Sequence, residues 1–284
     1  MLTMATLQRL WKASAPLTAT GLIMLAAVAA SLGAMAVDHR TILGAPAWLK
    51  PLKFAASTAI YAFTLAWILG HLPGRRKLAA AVGWVTSVVL VVEVAAIDVQ
   101  AARGVTSHFN ISTPLDAAIF ASMGLAILTV WGAAIALTVA LFRQRFDDKA
   151  FGWALRLGML LTVVGQATGG LMTSPTRAQL AAARATHERM TVSGAHTVGA
   201  PDGGPGVPIT GWSREHGDLR VPHFIGMHAV QVLPALAWLL VPVASADNRR
   251  RAVLAAAAAY SALFAILLVQ ALNGHPLIPM MVAR

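Results

Sequence analysis

Five strongly polar residues lie inside long apolar stretches of this sequence, where such side chains are uncommon. They are Glu93, Gln166, His228, Gln231 and Gln270. Placing polar groups in hydrocarbon is costly, so they normally face the interior of a helix bundle or a water-filled cavity. Their positions within the apolar stretches place all five near the mid-plane or in the outer half of a membrane. The sequence therefore predicts a polar site in that half.

Helical periodicity groups some of these side chains. Glu93 and Gln100 are seven residues apart and share a face, whereas Asp98 points elsewhere, toward Arg103. His228 shares its face with Gln231, three residues further on. At a rise of about 1.5 Å per residue, Glu93 lies ~20 Å from the inner end of its helix and His228 lies ~10 Å deep.

A carboxylate, an imidazole and several carboxamides at one depth could bind a metal, orient a haem or carry protons. We take Glu93 and His228 as candidate catalytic residues and metal ligands. Candidate haem ligands are His228 and a second histidine closer to the surface, one of His108, His223 and His275. The supporting polar residues are Asp98, Gln100, Arg103, Asn110, Gln166, Gln231 and Gln270. The alternative is a buried hydrogen-bond network that only specifies helix packing.

Recognised metal patterns are absent from the sequence. His223 and His228 are five residues apart, which turns their rings about 140° from each other and does not match the H-E-x-x-H zinc pattern. Only His228 is clearly deep, whereas a bis-histidine haem protein would need several deep histidines. The chain has no Cys, which excludes thiolate metal sites, iron–sulfur ligation and disulfides.

The amino-acid composition predicts the class of protein to which these polar residues belong. The chain has 284 residues, of which 57% are hydrophobic and 12% charged, and its mean hydropathy is +0.68. Soluble domains carry about 25% charged residues, so these values predict a polytopic membrane protein. Apolar runs of about 20 residues cross a bilayer as helices. The net charge of +11 is concentrated in short loops, which argues for a lipid bilayer and against nucleic acid as the partner.

The pattern predicts one all-α membrane domain, residues 1–284, with about seven spans. These are 16–37, 54–72, 78–102, 115–142, 151–172, 221–243 and 252–272. The long connection 173–220 is expected to begin with a short surface helix capped near Ser174. Loops of this length are usually lids or disordered tethers, and both alternatives stay open. No internal repeat is evident, which weakens a transporter interpretation.

Charge in the short loops predicts the orientation. Lys and Arg are concentrated in the N-terminal tail and in the loops 71–77, 143–149 and 247–251. The positive-inside rule therefore places the N-terminus in the cytoplasm and the C-terminus outside an inner or plasma membrane. The first span ends in a stretch similar to a signal-peptide cleavage site. That span is longer than the usual ~7–15 residues of a signal h-region, so we expect it to be retained.

Three hypotheses about function follow. The first is a membrane redox, haem or metal-binding protein at the outer face, with His228 as a ligand and Glu93 tuning the site or passing protons. The second is a transporter-like protein whose polar residues form an outer vestibule. The third is a scaffold in which the polar residues serve only packing. Hydrolase or transferase chemistry in the membrane is a weaker alternative, and the substrate is undetermined.

Overall fold

The structure, a computed structural model, describes residues 3–280. Its helices are α1 (Met4–Ala13), α2 (Ala15–Val37), α3 (Leu49–Leu69), α4 (Arg76–Ala102), α5 (Pro114–Arg143), α6 (Lys149–Thr173), α7 (Arg177–Thr186), α8 (Arg220–Leu239) and α9 (Ala246–Leu272). In this described range, four short strands form two antiparallel pairs: β1 (Thr41–Ile42) with β2 (Ala45–Pro46), and β3 (Thr197–Val198) with β4 (Gly217–Asp218).

Within residues 3–280, six largely helical stretches are long and apolar enough to cross a membrane. They are α2, α3, α4, α5, α9 and the segment Lys149–Thr186, which contains α6. The seventh predicted span, 221–243, coincides largely with α8 but is not among the six, because His223, His228 and Gln231 lower its hydropathy. A seventh span therefore stays a prediction.

Each predicted span corresponds to one helix, but two helices begin earlier than predicted. α3 starts at Leu49, because its first turn accommodates Pro51, whose missing N–H is not needed there. α9 starts at Ala246, where the Ser245 hydroxyl accepts a hydrogen bond from the Asn248 N–H. Hydropathy predicts where the chain enters the hydrocarbon, and both helices begin several residues before that point.

Contacts divide the chain into two compact units, residues 1–140 and 141–284, with the division inside α5. In unit 1, α2, α3 and α4 pack against one another, and α1 packs on α2 and α3. The buried core of this unit includes Met24 of α2, Ala55 and Ala59 of α3, and Val94 of α4. The small alanines allow α3 to lie close to its neighbours.

In unit 2, α6, α8 and α9 pack against one another. Their core contains Ala150, Ala154, Leu233, Ala237, Val253 and Ala257. The crossing of α6 and α8 depends on two glycines: a Cβ on Gly165 would lie 2.6 Å from the Cα of Gly226. No other residue type permits that approach. Gly170, one turn beyond on α6, has open space around it.

The two units share part of their order of elements, although the sequence shows no repeat. In unit 1, α2 is followed by the β1–β2 pair, α3 and α4; in unit 2, α6 is followed by the β3–β4 pair, α8 and α9. Unit 1 has in addition α1 and most of α5, and unit 2 has α7. In each unit the first, second and third long helices all contact one another. This shared order is a structural feature that hydropathy alone did not predict.

The connection between α6 and α8 is held by hydrogen bonds in the described chain. α7 begins at Arg177 rather than near Ser174, because Thr176 and Gln179 form a capping box. Asp218 accepts hydrogen bonds from the Ser213 N–H and from the Arg220 side chain. Gly217 lies directly against α9, where a Cβ would be 1.9 Å from the Ala271 carbonyl oxygen.

Candidate functional site

Glu93 lies on the buried face of α4 in unit 1, with 5% of its surface exposed. Its Oε2 atom is buried and has no hydrogen-bond partner within residues 3–280. A buried carboxylate oxygen without a partner is rare and costly, and each such group needs an explanation. Glu93 is nine residues before the end of α4, which places it about 14 Å from that end.

His108 is the ionisable partner of Glu93 in unit 1. Its Nε2 atom lies 3.6 Å from Oε1 of Glu93, and its Nδ1 atom lies 3.2 Å from Nζ of Lys50. A charged lysine donates hydrogen bonds and accepts none, so Nδ1 of His108 accepts from it. The neutral imidazole then carries its hydrogen on Nε2, directed at Glu93. Lys50 thereby selects the His108 tautomer.

Local backbone geometry turns His108 toward Glu93. After α4 the backbone has a positive φ at Gly104 (75°). It has a second positive φ, of 65°, at Phe109, the residue that follows His108. Positive φ is unfavourable for a bulky residue and tends to persist where function requires it. The His108 ring also contacts Phe54, at 5.5 Å between ring centroids, and Ser107 Oγ lies 3.1 Å from Nδ1.

Lys50 is a site residue that the sequence analysis did not include among the candidate site residues. It lies in the first turn of α3, with its Nζ atom 5.7 Å from the centre of the Phe54 ring. At a membrane edge a lysine normally extends toward lipid headgroups, and nothing in its own sequence context indicates otherwise. The contact with His108 comes from another part of the chain, so no local signal could have shown it.

Other predicted residues of unit 1 form a separate network. Arg103 forms an ion pair with Asp116 at 2.7 Å and also donates to Gln100, whose amide donates to Asp116 at 2.9 Å. Arg103 therefore pairs with Asp116 and not with Asp98, which is half-buried on another face of α4. This network joins the end of α4 to the start of α5 and has a structural role.

Asn110 organises the loop around His108. Its side-chain oxygen accepts hydrogen bonds from the backbone N–H and the hydroxyl of Ser112, at 3.0 Å and 2.7 Å, and its amide donates to the Thr106 carbonyl. Such an Asx turn replaces backbone hydrogen bonds in a tight loop. The structure thus gives Asn110 a positioning role.

His223 is the predicted ligand with the most defined geometry in unit 2. Its Nδ1 atom lies 2.8 Å from the Gly165 carbonyl oxygen and 3.2 Å from Thr168 Oγ1. Gly169 leaves space for the ring, since a Cβ there would be 3.5 Å from it. Because Nδ1 donates its hydrogen to this carbonyl, Nε2 carries no hydrogen and is free to bind a metal. Histidine ligands of metals have this arrangement.

The remaining predicted residues of unit 2 are dispersed. The His228 ring contacts the Phe224 ring in a tilted arrangement, at 4.2 Å between ring centroids, with Gln231 three residues further along α8. Gln270 donates to the Pro276 carbonyl at 2.8 Å, so it fixes the turn after α9. His275 lines a small cavity together with Gln270. Gln166 lies on α6, beside the glycine that contacts α8.

The predicted metal site has no support from this arrangement. Across the described range 3–280, no three His, Asp or Glu side chains are grouped so that they could hold a metal ion. Glu93 belongs to unit 1 and His228 to unit 2. Among the predicted ligands, the geometry of His223 is the one that suits a haem or metal, as a single ligand.

Asp38 and Asp202, two of the carboxylates outside the spans, have strongly lowered pKa values. Hydrogen bonds from Arg40 and from the Trp48 indole hold the pKa of Asp38 well below its usual range. Burial raises the pKa of Asp202, but hydrogen bonds from the His196 ring and from the backbone of His196 and Thr197 outweigh burial, and the pKa is strongly lowered. Both carboxylates are therefore ionised structural elements of their loops.

Comparison with protein-family models, with curated proteins and with solved structures found no match to this chain. The class of protein follows from the fold itself. Its apolar helices are those of a multi-pass membrane protein in a lipid bilayer.

Proposed function

We propose that this membrane protein takes up and releases a proton at Glu93, exchanging it with the outer face through His108 and Lys50. The observation that supports the proposal most directly is the geometry of Glu93. One of its oxygens is buried without a partner among the described residues, while the other lies 3.6 Å from an imidazole that contacts an ammonium group. Ionisable residues held within membrane spans are typical of proton relays.

The transfer can be followed atom by atom. Lys50 gives a proton to Nδ1 of His108, while Nε2 of His108 gives its proton to Oε1 of Glu93. Lys50 then regains a proton from outside water, so that one proton leaves the water and one carboxylate becomes a carboxylic acid. The distance of 3.6 Å is longer than a hydrogen bond, so Glu93 and His108 must approach by roughly 0.5 Å for the transfer.

The shared order of elements favours transport as the context of this proton exchange. Many transporters are built from repeated groups of helices, including parallel repeats, and both units contain three mutually packed long helices in one order. The orientation expected from the positive-inside rule places His108 and Lys50 at the outer face. A proton that enters there would be coupled to movement of a solute whose identity is open.

Infrared spectroscopy of the purified protein tests the proposal. The sequence contains three glutamates, Glu93, Glu188 and Glu215, and eight aspartates, so the carboxyl band is assigned by replacing single carboxylates. We expect a pH-dependent band of a protonated carboxylic acid that disappears in Glu93→Gln and persists in the exposed control Glu188→Gln. His108→Gln should retain the band but slow its response to a pH jump at least tenfold. A band unaffected by Glu93→Gln would overturn the proposal.

A second candidate function is redox chemistry with a haem or a metal, and it is favoured by His223. The Gly165 carbonyl fixes the ring through Nδ1 and leaves Nε2 for a ligand. His228, with Glu93 tuning the site, stays the alternative ligand predicted from the sequence. The test is a visible spectrum and elemental analysis of protein purified in mild detergent. A Soret band or a stoichiometric metal, lost in His223→Ala or His228→Ala, would establish this function, and a colourless metal-free sample would exclude it.

A further inference from the structure

We propose that an internal chain of water molecules runs along α4 from Glu93 through Thr86 and Ser87 toward Ser14, and that it carries the Glu93 proton to the opposite end of unit 1. This inference rests on the proposed proton exchange at Glu93 and extends it to a second exit. The hydroxyls of Thr86 and Ser87 are buried, and neither finds a hydrogen-bond partner in the described part of the chain.

These two hydroxyls differ from most helical hydroxyls of this protein. Thr18, Thr20, Thr64, Thr138 and Ser261 each donate to the carbonyl four residues earlier, at 2.7–2.9 Å. That local bond is the default for Ser and Thr inside a helix. Thr86 and Ser87 do not make it, and two adjacent unsatisfied hydroxyls are costly unless water binds them.

Spacing places the unsatisfied groups in one line. Thr86 and Glu93 are seven residues apart on α4 and therefore share a face. Both Thr86 Oγ1 and Glu93 Oε2 are buried atoms without a partner in the 3–280 range. The rise between them is about 10.5 Å, which about three hydrogen-bonded waters would bridge at a spacing of roughly 2.8 Å.

The line continues to the first residues of α2. Ser14 precedes α2 and is buried, and its Oγ atom lies 2.7 Å from the position that a Cβ on Gly83 would occupy. Gly83 is one turn before Thr86 and Ser87, on the same side of α4. The missing side chain at Gly83 thus leaves the space in which the Ser14 hydroxyl lies. Polar atoms border α4 at Ser14, Thr86 and Ser87 and again at Glu93, and His108 continues the series at the other end. The apolar residues 88–92 between the two groups line the part of the path that only water can bridge.

The competing explanation is close packing of small residues between α2 and α4, which also contact each other. The two explanations differ in what removal of the hydroxyls does. If Thr86 and Ser87 only pack, then replacing them with apolar residues of similar shape leaves proton movement unchanged. If they hold water, the same replacement interrupts the path without damage to the fold, because an unsatisfied hydroxyl has been removed.

Proton flux in proteoliposomes distinguishes the two. Vesicles of neutral lipid with a trapped pH-sensitive dye receive an outside acid pulse, with valinomycin and K⁺ to balance charge. We expect Thr86→Val with Ser87→Ala to lower the protein-dependent flux at least tenfold and to leave the thermal midpoint unchanged or raised. Thr138→Val, which removes a buried hydroxyl that bonds to its own helix, should leave flux unchanged.

A second variant and the infrared band of Glu93 distinguish failure of the water path from failure of the proposed proton exchange. Gly83→Ala places a methyl against Ser14 and should lower the flux without removing the Glu93 band. Unchanged flux in the double variant, or no protein-dependent flux in the wild type, would overturn the water path while the proton exchange at Glu93 stands. Loss of the Glu93 band from the wild type would instead overturn the proposed function itself.

Discussion

The Nδ1 atom of His223 lies 2.8 Å from the carbonyl oxygen of Gly165, so a helix backbone fixes the orientation of an imidazole on the neighbouring helix. The same Gly165 makes the closest contact between α6 and α8. The position of the ring and the approach of the two helices therefore depend on one residue. A change at Gly165 should affect stability and ring orientation together.

Substitution of Gly165 by Ala tests this dependence. The new Cβ would lie 2.6 Å from Gly226, and overpacking of this kind typically costs about 1–3 kcal/mol. We expect a lower thermal midpoint in detergent. Gly170→Ala is the matched control, since the added methyl meets nothing within 4 Å there and alanine favours helix by up to about 1 kcal/mol. Equal effects of the two variants would contradict the glycine contact.

Arg249 is expected to stabilise unit 2 at the end opposite the α6–α8 loop. Its guanidinium lies 2.7 Å from Asp148, the N-cap residue of α6, and 3.0 Å from the Ala237 carbonyl near the end of α8. Because Asp148 is partly exposed, we expect Arg249→Gln to cost about 1–2 kcal/mol, less than the loss of one partner from a fully buried pair. Urea or thermal unfolding measures the difference.

The neighbouring Arg250 gives the control for this pair. It faces Asp247 at 4.0 Å with both side chains exposed, and such surface pairs contribute about 0–1 kcal/mol. Arg250→Gln should therefore be close to neutral. If Arg249→Gln were equally neutral, the contacts to Asp148 and Ala237 would have no role in stability.

Acid should open the loop between α7 and α8 through Asp202. The pKa of Asp202 is lowered in the folded state, so its ionisation stabilises the loop at pH values above the ordinary value of 3.8. That contribution is lost as the pH falls below 3.8 toward the folded-state pKa. Hydrogen exchange of the peptide around His196 should accelerate over this range, before peptides of α9 do.

Asp202→Asn tests the origin of that acid sensitivity. The variant should show fast exchange around His196 at neutral pH and little further change in acid. Glu215→Gln removes an exposed carboxylate from the same loop and should retain the wild-type profile. Identical profiles in Asp202→Asn and the wild type would show that another group controls the loop.

Lys50→Met should slow proton exchange at Glu93. Without the ammonium group, Nδ1 of His108 loses the donor that assigns the hydrogen to Nε2. We expect the infrared band of Glu93 to respond to a pH jump several-fold more slowly. Lys53→Met, one turn further along α3, removes the same charge from the same helix and should respond as the wild type does. A slow response in both variants would indicate a general effect of surface charge.

Hydropathy predicted the helices well because a membrane span needs a minimum length of apolar residues. The predicted span 78–102 compares with α4 at Arg76–Ala102, and 16–37 compares with α2 at Ala15–Val37. The separate helix α1 was missed, since the N-terminal tail was considered only for its charges. Apolar residues at Leu7, Leu10 and Trp11 give the helical spacing that could have shown it.

The partner of Glu93 could not be predicted in the same way. Periodicity relates residues on one helix, so it grouped Glu93 with Gln100 and matched it with His228 by depth alone. His108 belongs to a loop, and the path of that loop depends on positive φ angles at Gly104 and Phe109. No hydropathy pattern encodes those angles. The pairing of Glu93 with His228 stays a prediction.

The contact of Gly217 with α9 limits which residue position 217 can hold. The backbone of β4 lies so close to α9 that a Cβ on Gly217 would be 1.9 Å from the Ala271 carbonyl oxygen. Any other residue there would force β4 away from α9. Because β4 pairs with β3, that displacement would reach the earlier part of the loop as well, so one absent side chain holds both strands against the end of α9.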